Sequence, residues 1–218
     1  MNIDLCSIEP SAKSLAYLNG NLKRSIDILG ALVGIAFCMP AFLIAAFVVK
    51  FIDKVPLLFR QERIGLHGQP FVLVKLRTLV IDEKRVSKPE TIHKKPNYVT
   101  TRTGRFWRIT SIDEIVQFFL VLKGDMSLIG YRPIPIYYLP HLALLDEMNP
   151  TKIEHYLRVT YRYKPGMSSL SSVNGRGDLT LPQKFMYDLI YARDANLIYD
   201  LRLLLQTLYV VVSRKGAK

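Results

Sequence analysis

Acidic residues are scarce in this chain of 218 residues: eighteen Asp and Glu stand against thirty Lys and Arg, a formal charge of +12. That imbalance points to anionic partners, namely phosphates, nucleic acid or a membrane surface. Cysteine is nearly missing. Cys6 and Cys38 cannot build a disulfide framework, and the four scattered histidines, His67, His93, His141 and His155, show no zinc spacing, which disfavours a metal-fingered nucleic-acid binder and suits a reducing compartment. There is no P-loop G-x-x-x-x-G-K-[ST], no dinucleotide G-x-G-x-x-G and no G-x-S-x-G nucleophile elbow, so the common nucleotide-cradling and serine-hydrolase patterns are absent. Half the residues are hydrophobic, enough for one compact domain and too many for a disordered basic tail.

Long uncharged runs are also missing, with one exception. Residues 28–49 carry no charge and at helical rise reach across a hydrocarbon core. The run is too long, and starts too far from the N-terminus, for a cleavable signal peptide. Pro40 near its middle predicts a bend at Cys38, Met39 and Pro40. Lys23 and Arg24 precede the run, and Lys50, Lys54, Arg60 and Arg63 follow it. A helix that dips into one leaflet and returns leaves both basic flanks on one side, whereas a straight span with a tolerated proline divides them.

Beyond it, apolar-rich runs at 57–63 and 70–76 flank a connection containing Gly65 and Gly68, which predicts a β-hairpin. Residues 80–100 are polar, with Pro89 and Pro96, and read as a flexible surface loop. Ser111 opens a run with Ile112, Ile115, Val116, Phe119, Leu120 and Leu122 at helical spacing, closed by Lys123-Gly124: a helix with an N-cap and a glycine stop. Further helices are expected over 136–148, 184–192 and 195–213, the last suited to lie at a membrane interface. The predicted class is α+β and membrane-associated, with a leader over 1–21, a re-entrant helix over 22–54 and a catalytic region over 55–218 that forms one domain with it.

Arg102, Arg105 and Arg108 recur every three residues before Ser111, and Asp113-Glu114 fall in the first turn of the helix it opens. Two roles are open. Ser111 and Glu114 have the spacing of a capping box, in which the glutamate bonds back to the backbone. Alternatively, a helix start ringed by arginines is a phosphate site, where a carboxylate pair can bind a divalent cation while one oxygen attacks phosphorus. Lys75, Arg77 and Thr78, at the end of the hairpin, add two cations and a hydroxyl.

The motifs also occur in a telling order. Lys23-Arg24-Ser25-Ile26-Asp27, Gln61-Glu62-Arg63-Ile64-Gly65, Lys75-Leu76-Arg77-Thr78, Thr103-Gly104-Arg105-Phe106 and Asp113-Glu114 lead into Lys123-Gly124-Asp125-Met126-Ser127-Leu128, Gly130-Tyr131-Arg132-Pro133 and Lys164-Pro165-Gly166. This succession, over about residues 22–212, resembles the bacterial sugar transferase family, the monotopic polyprenyl-phosphate glycosyl-1-phosphate transferases in their small catalytic form. The resemblance implies transfer of a sugar-1-phosphate from a nucleotide diphosphate sugar, usually a UDP-sugar, to polyprenyl (undecaprenyl) phosphate at the cytoplasmic face of the bacterial inner membrane. It implies UMP as the other product, initiation of surface glycan assembly, Mg²⁺ as cofactor, no nucleic-acid partner, and a re-entrant form for the proline-bearing helix. Asp113 takes the nucleophile's place and Glu114 helps hold the metal. Lys75, Arg77, Thr78, Arg105, Arg108, Arg132, Asn174 and Arg176 are the candidate substrate contacts, and Pro40 the membrane bend. The chain departs from the family pattern at Tyr131, where proline is usual, at Val116, and at Ser172, where glutamine is usual. No motif specifies the sugar or an oligomeric state. The rival class is a membrane-tethered basic binding or scaffolding protein, for which Asp113-Glu114 is only a cap.

Overall fold

The computed structural model describes residues 5–81, 98–141 and 149–214. The fold mixes helices with small sheets, in agreement with the α+β expectation, and each sheet among the described residues has two strands.

Helix α1 (Ala12–Leu18) begins where Ser11 caps the Ser14 N–H at 3.0 Å. Leu5, Ile8 and Leu18 are buried in the main apolar core, so residues 5–18 of the segment read as a leader are packed against the rest of the chain. Helix α2 (Asn21–Val48) is continuous through Pro40 and passes into a π-helical turn, Val49–Asp53, that ends at Lys54 with φ 55°. From Asn21 to Asp53 it is long and apolar enough to cross a membrane, and its most apolar 18-residue window has a mean hydropathy of 2.6 with only 17% of it buried. Ala31, Phe42 and Ala45 face the protein, while Leu29, Val33, Phe37, Ile44 and Phe47 are exposed. A core helix of a water-soluble protein would bury such a surface.

The hairpin forms as predicted: β1 (Leu58–Ile64) pairs antiparallel with β2 (Pro70–Leu76), placing Phe59 opposite Lys75, Gln61 opposite Leu73 and Arg63 opposite Phe71. In the connection Gly68 uses a left-handed φ of 72°, but His67, at 56°, takes the other such position and Gly65 does not need one. The surface-loop reading of 80–100 is corrected at its ends: β3 (Leu79–Ile81) and β4 (Tyr98–Thr100) pair antiparallel, and residues 82–97 lie outside the described set. Helix α3 (Gly104–Ile109) follows.

The single helix expected from Ser111 is divided into a 3₁₀ turn over Ile112–Gln117 and helix α4 (Phe118–Lys123), with Gly124 at φ 101° as the predicted stop. The helix expected over 136–148 is, in its described part, a 3₁₀ turn, Ile136–His141; residues 142–148 lie outside the described set. Strand β5 (Ser127–Ile129) is followed, after helix α5 (Pro150–Thr160), by a parallel partner, β6 (Gly166–Ser168). Two glycines permit this pairing. A Cβ on Gly130 would lie 2.5 Å from the Lys164 carbonyl oxygen, and one on Gly166 would lie 2.1 Å from the Gly130 nitrogen. Helix α6 (Leu170–Val173) is short; α7 (Leu181–Asp194) extends the expected helix at 184–192 behind a Thr180–Gln183 capping box. Helix α8 (Leu197–Ser213) matches the last expected helix and exposes Ile198, Leu205, Leu208 and Val212.

The main core is built around Tyr131, Tyr156, Tyr163, Tyr191, Phe185 and Leu189, all but fully buried. Buried phenols need partners, and three of the four reach one carboxylate or peptide group each on α7 or α8: Tyr156 donates to Asp188 Oδ2 (3.1 Å), Tyr163 to the Asp188 carbonyl (3.2 Å) and Tyr191 to Asp200 Oδ1 (2.7 Å). A buried ion cluster ties the start of α2 to the same core. Lys23 Nζ lies 3.2 Å from Asp27 Oδ1 and 2.7 Å from Asp200 Oδ2, all three side chains being 4% exposed or less. Asp27 Oδ1 also accepts from Ser127 Oγ (2.9 Å) and the Leu128 N–H (3.0 Å), which fixes β5 against α2.

Candidate active site

The 3₁₀ turn that carries Asp113 and Glu114 lies over β2, beneath the inner face of α2 and next to α3. It begins from Ser111 in the left-handed region, φ 57°, without any side-chain cap. Ser111 Oγ instead accepts from Arg176 Nη2 at 2.8 Å. The capping-box reading is therefore overturned. A cap requires an extended residue whose oxygen faces the first-turn N–H groups, and here the hydroxyl is turned toward an arginine from the other end of the sequence. Glu114 is thereby free of the backbone. Its Oε1 takes a hydrogen bond from Lys75 Nζ and a second from Arg132 Nη2 at 3.2 Å.

The hairpin supplies Lys75, together with Arg63, by simple alternation, while Arg132 comes from the chain after β5. Phe59, Gln61 and Arg63 on β1 and Phe71, Leu73 and Lys75 on β2 share one face, because side chains of a strand alternate and these residues are paired across the ladder. Arg63, Lys75, Glu114, Gln117, Arg132 and Pro133 accordingly line one small pocket. Arg63 lies outside the residues expected from the sequence as substrate contacts; its spacing of two from Gln61 on the Lys75 face was the available signal. Its Nη1 holds the Pro133 carbonyl at 2.6 Å, and Arg132 is held through its N–H, 3.4 Å from Asp188 Oδ2.

Electrostatics separate the two carboxyls. Burial and the neighbouring Glu114 charge push Asp113 up to about 6, against a weaker downward pull from Lys75 and Arg108. Burial alone would raise Glu114 as well, but Lys75 and Arg132 overcome it and hold the carboxyl well below the usual range. At neutral pH both are ionised, Glu114 firmly and Asp113 with the more basic, more nucleophilic oxygen. Three buried donors close by, Arg63 Nε, Gln117 Nε2 and Arg176 Nη1, have no acceptor among the described residues. Orphaned N–H groups are costly, and these share a preference for an anion.

The remaining expected contacts divide into those near the pair and those elsewhere. Arg108 is half-buried and close enough to lower Asp113, while Arg105 is exposed. Arg77 is engaged with the chain itself, donating to the Pro56 carbonyl (3.0 Å) and the Leu58 carbonyl (3.1 Å) and lying over the Phe59 ring. Thr78 is buried, its carbonyl accepting the Thr101 N–H at 3.0 Å. Asn174 is exposed and donates to the Leu170 carbonyl at 2.8 Å. Pro40 sits in α2, in the half whose Phe42, Ala45 and Val49 pack with Leu76, Trp107 and Ile115 of the site's floor. Tyr131, a departure from the family pattern, points inward: it is 1% exposed and meets Tyr163 edge to face, with ring centroids 5.3 Å apart. Ser172 closes the first turn of α6 through Ser169, whose Oγ is 2.7 Å from its own.

A divalent cation would find two adjacent carboxylates here, one of them raised by burial and by its neighbour's charge, and Mg²⁺ is content with one or two protein carboxylates if phosphate and water complete its shell. The donor set fits such an ion, with Asp113 and Glu114 as the residues that would hold it. Among the described residues there is no group of three or more His, Cys, Asp or Glu that would make an all-protein metal cage.

Comparison with known proteins identifies the family. The chain is 35% identical over 196 residues to the sugar transferase EpsL of Bacillus subtilis, covering 89% of each. It is 35% identical over 200 residues to the UDP-glucose:undecaprenyl-phosphate glucose-1-phosphate transferase of Caulobacter vibrioides, covering 89% of this chain and 71% of that protein. With the galactosyl transferase CpsE of Streptococcus agalactiae it shares 32% over 220 residues, 95% of this chain but 46% of the relative. The chain thus spans less than half the length of CpsE and of similarly long relatives such as the UDP-galactose-lipid carrier transferase of Erwinia amylovora, 41% of which is covered. The family model for bacterial sugar transferases matches residues 18–214, nearly everything described above, and the chain belongs to the bacterial sugar transferase family.

Proposed function

We propose that the protein transfers a sugar-1-phosphate from a UDP-sugar to undecaprenyl phosphate through a covalent Asp113 phosphosugar. The observation that carries this reading is the arrangement around Asp113-Glu114: a buried, raised carboxylate beside one pinned by two cations, with Arg63 and Gln117 of the same pocket each keeping a buried donor that has no acceptor among the described residues. Relatives named as UDP-glucose or UDP-galactose lipid-carrier transferases support the substrate class.

In the first half-reaction an Asp113 carboxylate oxygen bonds to the phosphorus that bears the sugar. The bond from that phosphorus to the bridging oxygen breaks, and the electron pair leaves with UMP. In the second, an oxygen of the lipid phosphate attacks the same phosphorus and the Asp113 carboxylate departs, giving the diphosphate-linked lipid sugar. Lys75 and Arg132 keep Glu114 ionised and oriented. Arg63, Gln117 and Arg176 offer N–H groups to phosphate oxygens, which stabilise charge best when fixed in advance. Mg²⁺ held by Asp113 and Glu114 would neutralise diphosphate charge.

The apolar helix α2 supports a membrane location, and basic residues at both of its ends support a re-entrant course with the catalytic region on the cytoplasmic face of the inner membrane. Such a course sets the carboxylate pair, which packs against α2, at the depth where a lipid phosphate and a soluble nucleotide sugar can both reach it.

The test is a trapping experiment. With labelled UDP-sugar and no lipid acceptor, label should stay on the protein, be released by hydroxylamine as expected of an acyl phosphate, and be absent from Asp113→Asn. Robust turnover by Asp113→Asn, with deamidation excluded by mass spectrometry, would sink the mechanism.

A further inference from the structure

A cavity of about 160 Å³ opens where α2 begins, lined by Gly20, Lys23, Arg24, Asp27, Ser127 and Lys164 among others, and it shares no residue with the pocket at Glu114. Its cations are unequally matched. Lys23 is consumed by Asp27 and Asp200, and those carboxylates also serve Ser127, the Leu128 N–H, Tyr17 and Tyr191. Arg24 is fixed in place by the Val121 and Leu122 carbonyls at the end of α4, each 2.6 Å away, which take one N–H from each terminal nitrogen and leave three of its five N–H groups without an acceptor among the described residues. Its Nη2 and Lys164 Nζ each come to 3.6 Å of the point where a Cβ on Gly124 would stand. Among the described residues no carboxylate is within ion-pair distance of Arg24 or Lys164. The nearest further acid, Asp125, is bound to Lys123 at 2.7 Å.

Two cations held together repel, and burial together with Arg24 pulls the Lys164 ammonium downward against the weaker opposite pull of Asp27 and Asp125. The same cavity receives the start of a 28-residue helix whose cap, Gly20, gives no side-chain hydrogen bond. Gly20, Lys23 and Arg24 of that helix start line the cavity, so the positive end of the helix dipole lies beside it. Nothing in the carboxylate-pair chemistry uses these groups.

We infer that this cavity is a second anion site, in which Arg24, Lys164 and the first turn of α2 hold a phosphate group. The phosphate is that of a phospholipid headgroup or of a free ion. The cavity's place one turn before the apolar run of α2 favours the headgroup. That preference rests on α2 lying in a bilayer; the capture of free phosphate does not.

The experiment uses the full chain with its lysines reductively ¹³C-methylated and the Lys164 signal assigned by Lys164→Arg. In detergent, inorganic phosphate is titrated against chloride at constant ionic strength; in nanodiscs, phosphatidylcholine alone is compared with a mixture containing phosphatidylglycerol. Phosphate or phosphatidylglycerol should move the Lys164 titration upward by about one unit, a tenfold gain in proton affinity. Thermal stabilisation by the same anion should persist in Lys75→Met and be lost in Lys164→Met. A response to phosphatidylglycerol alone assigns the site to a headgroup, and a response to phosphate alone assigns it to a free ion. No response beyond chloride in either arm overturns the inference, as does stabilisation that survives Lys164→Met and disappears in Lys75→Met, which would place the anion at the carboxylate pair. Should Lys164→Met fail to fold, the titration of the wild-type amine decides alone.

Discussion

Replacing Lys23 by Met tests how strongly the start of the apolar helix is bound to the catalytic core. The ammonium is 4% exposed and stands between Asp27 and Asp200, at 3.2 and 2.7 Å. Met fills much of the same volume, so packing changes little and the loss is electrostatic. Breaking a buried pair costs about 3–5 kcal/mol because a charge is left without compensation. Here each carboxylate keeps two other donors: Ser127 Oγ and the Leu128 N–H for Asp27, and the Tyr17 and Tyr191 hydroxyls for Asp200. The cost should therefore fall near the lower end, about 3 kcal/mol. For a domain of this size each kcal/mol moves the midpoint by about 2–4 °C, so thermal unfolding in detergent should drop by about 6–12 °C. Lys23→Met combined with Asp200→Asn removes the cation and one anion together and should recover about half of the loss. A single variant within about 1 kcal/mol of wild type, or a double variant no better than the single, would refute the view that Lys23 neutralises both aspartates.

Three further outcomes follow from the site. Because Asp113 must be ionised to attack and is raised to about 6 without a metal, while Mg²⁺ held by the pair would pull it down, kcat/KM for the UDP-sugar should fall with decreasing pH, approaching tenfold per unit below the midpoint, and that midpoint should move lower as Mg²⁺ is raised; a profile with no acidic limb at limiting Mg²⁺ would remove Asp113 as nucleophile. Burial pushes Asp188 up to about 8, and its Oδ1 has no hydrogen-bond partner among the described residues, so the fold keeps a proton that the unfolded chain releases above about 4. Stability from this group is present below the unfolded value and is lost as pH rises through the folded one. Asp188→Asn should then be more stable than wild type by about 1 kcal/mol at pH 7 and gain nothing at pH 4, and equal differences at both pH values in denaturant titrations would contradict it. Turnover should vanish in excess EDTA and return with Mg²⁺, and full turnover without a divalent ion would show that Lys75, Arg132 and their neighbours suffice to neutralise the diphosphate.

Much of this structure can be read from local pattern, and its failures are equally local. The hairpin announces itself by two apolar runs and a glycine-bearing connection, and Gly124 closes its helix as a C-terminal glycine should. The Ser111 to Glu114 spacing could not separate a cap from a site, since the decision is made by Arg176, distant in sequence, which draws the serine hydroxyl away. Helix α5 carries an interpretable start, Asn149 capping Thr151 with Pro150 in the first turn, but its polar composition hid the apolar period. The parallel pairing of β5 and β6 was illegible because three-residue strands have no period and their contact depends on Gly130 and Gly166 meeting backbone to backbone. Of the expected contacts, Lys75 and Arg132 meet Glu114 directly, whereas Arg77 is spent on carbonyls of the hairpin's entry. Composition marks a residue as basic, and only the fold decides which oxygen it reaches.

The shared face of the hairpin also limits how this sequence can change in length. Arg63 and Lys75 reach the pocket because each stands an even number of residues from Gln61 and Leu73 on their strands. A single-residue insertion or deletion inside β2 would turn Lys75 to the opposite side and leave Glu114 short of a partner, and one inside β1 would turn Arg63 away from the Pro133 carbonyl, although every side chain is still present. Paired changes restore the parity, and the Gly65–Gln69 connection can absorb odd ones outside the ladder. Length variation among descendants of this chain should accumulate in that connection and avoid the strands, a rule of even and odd imposed by the pleat itself.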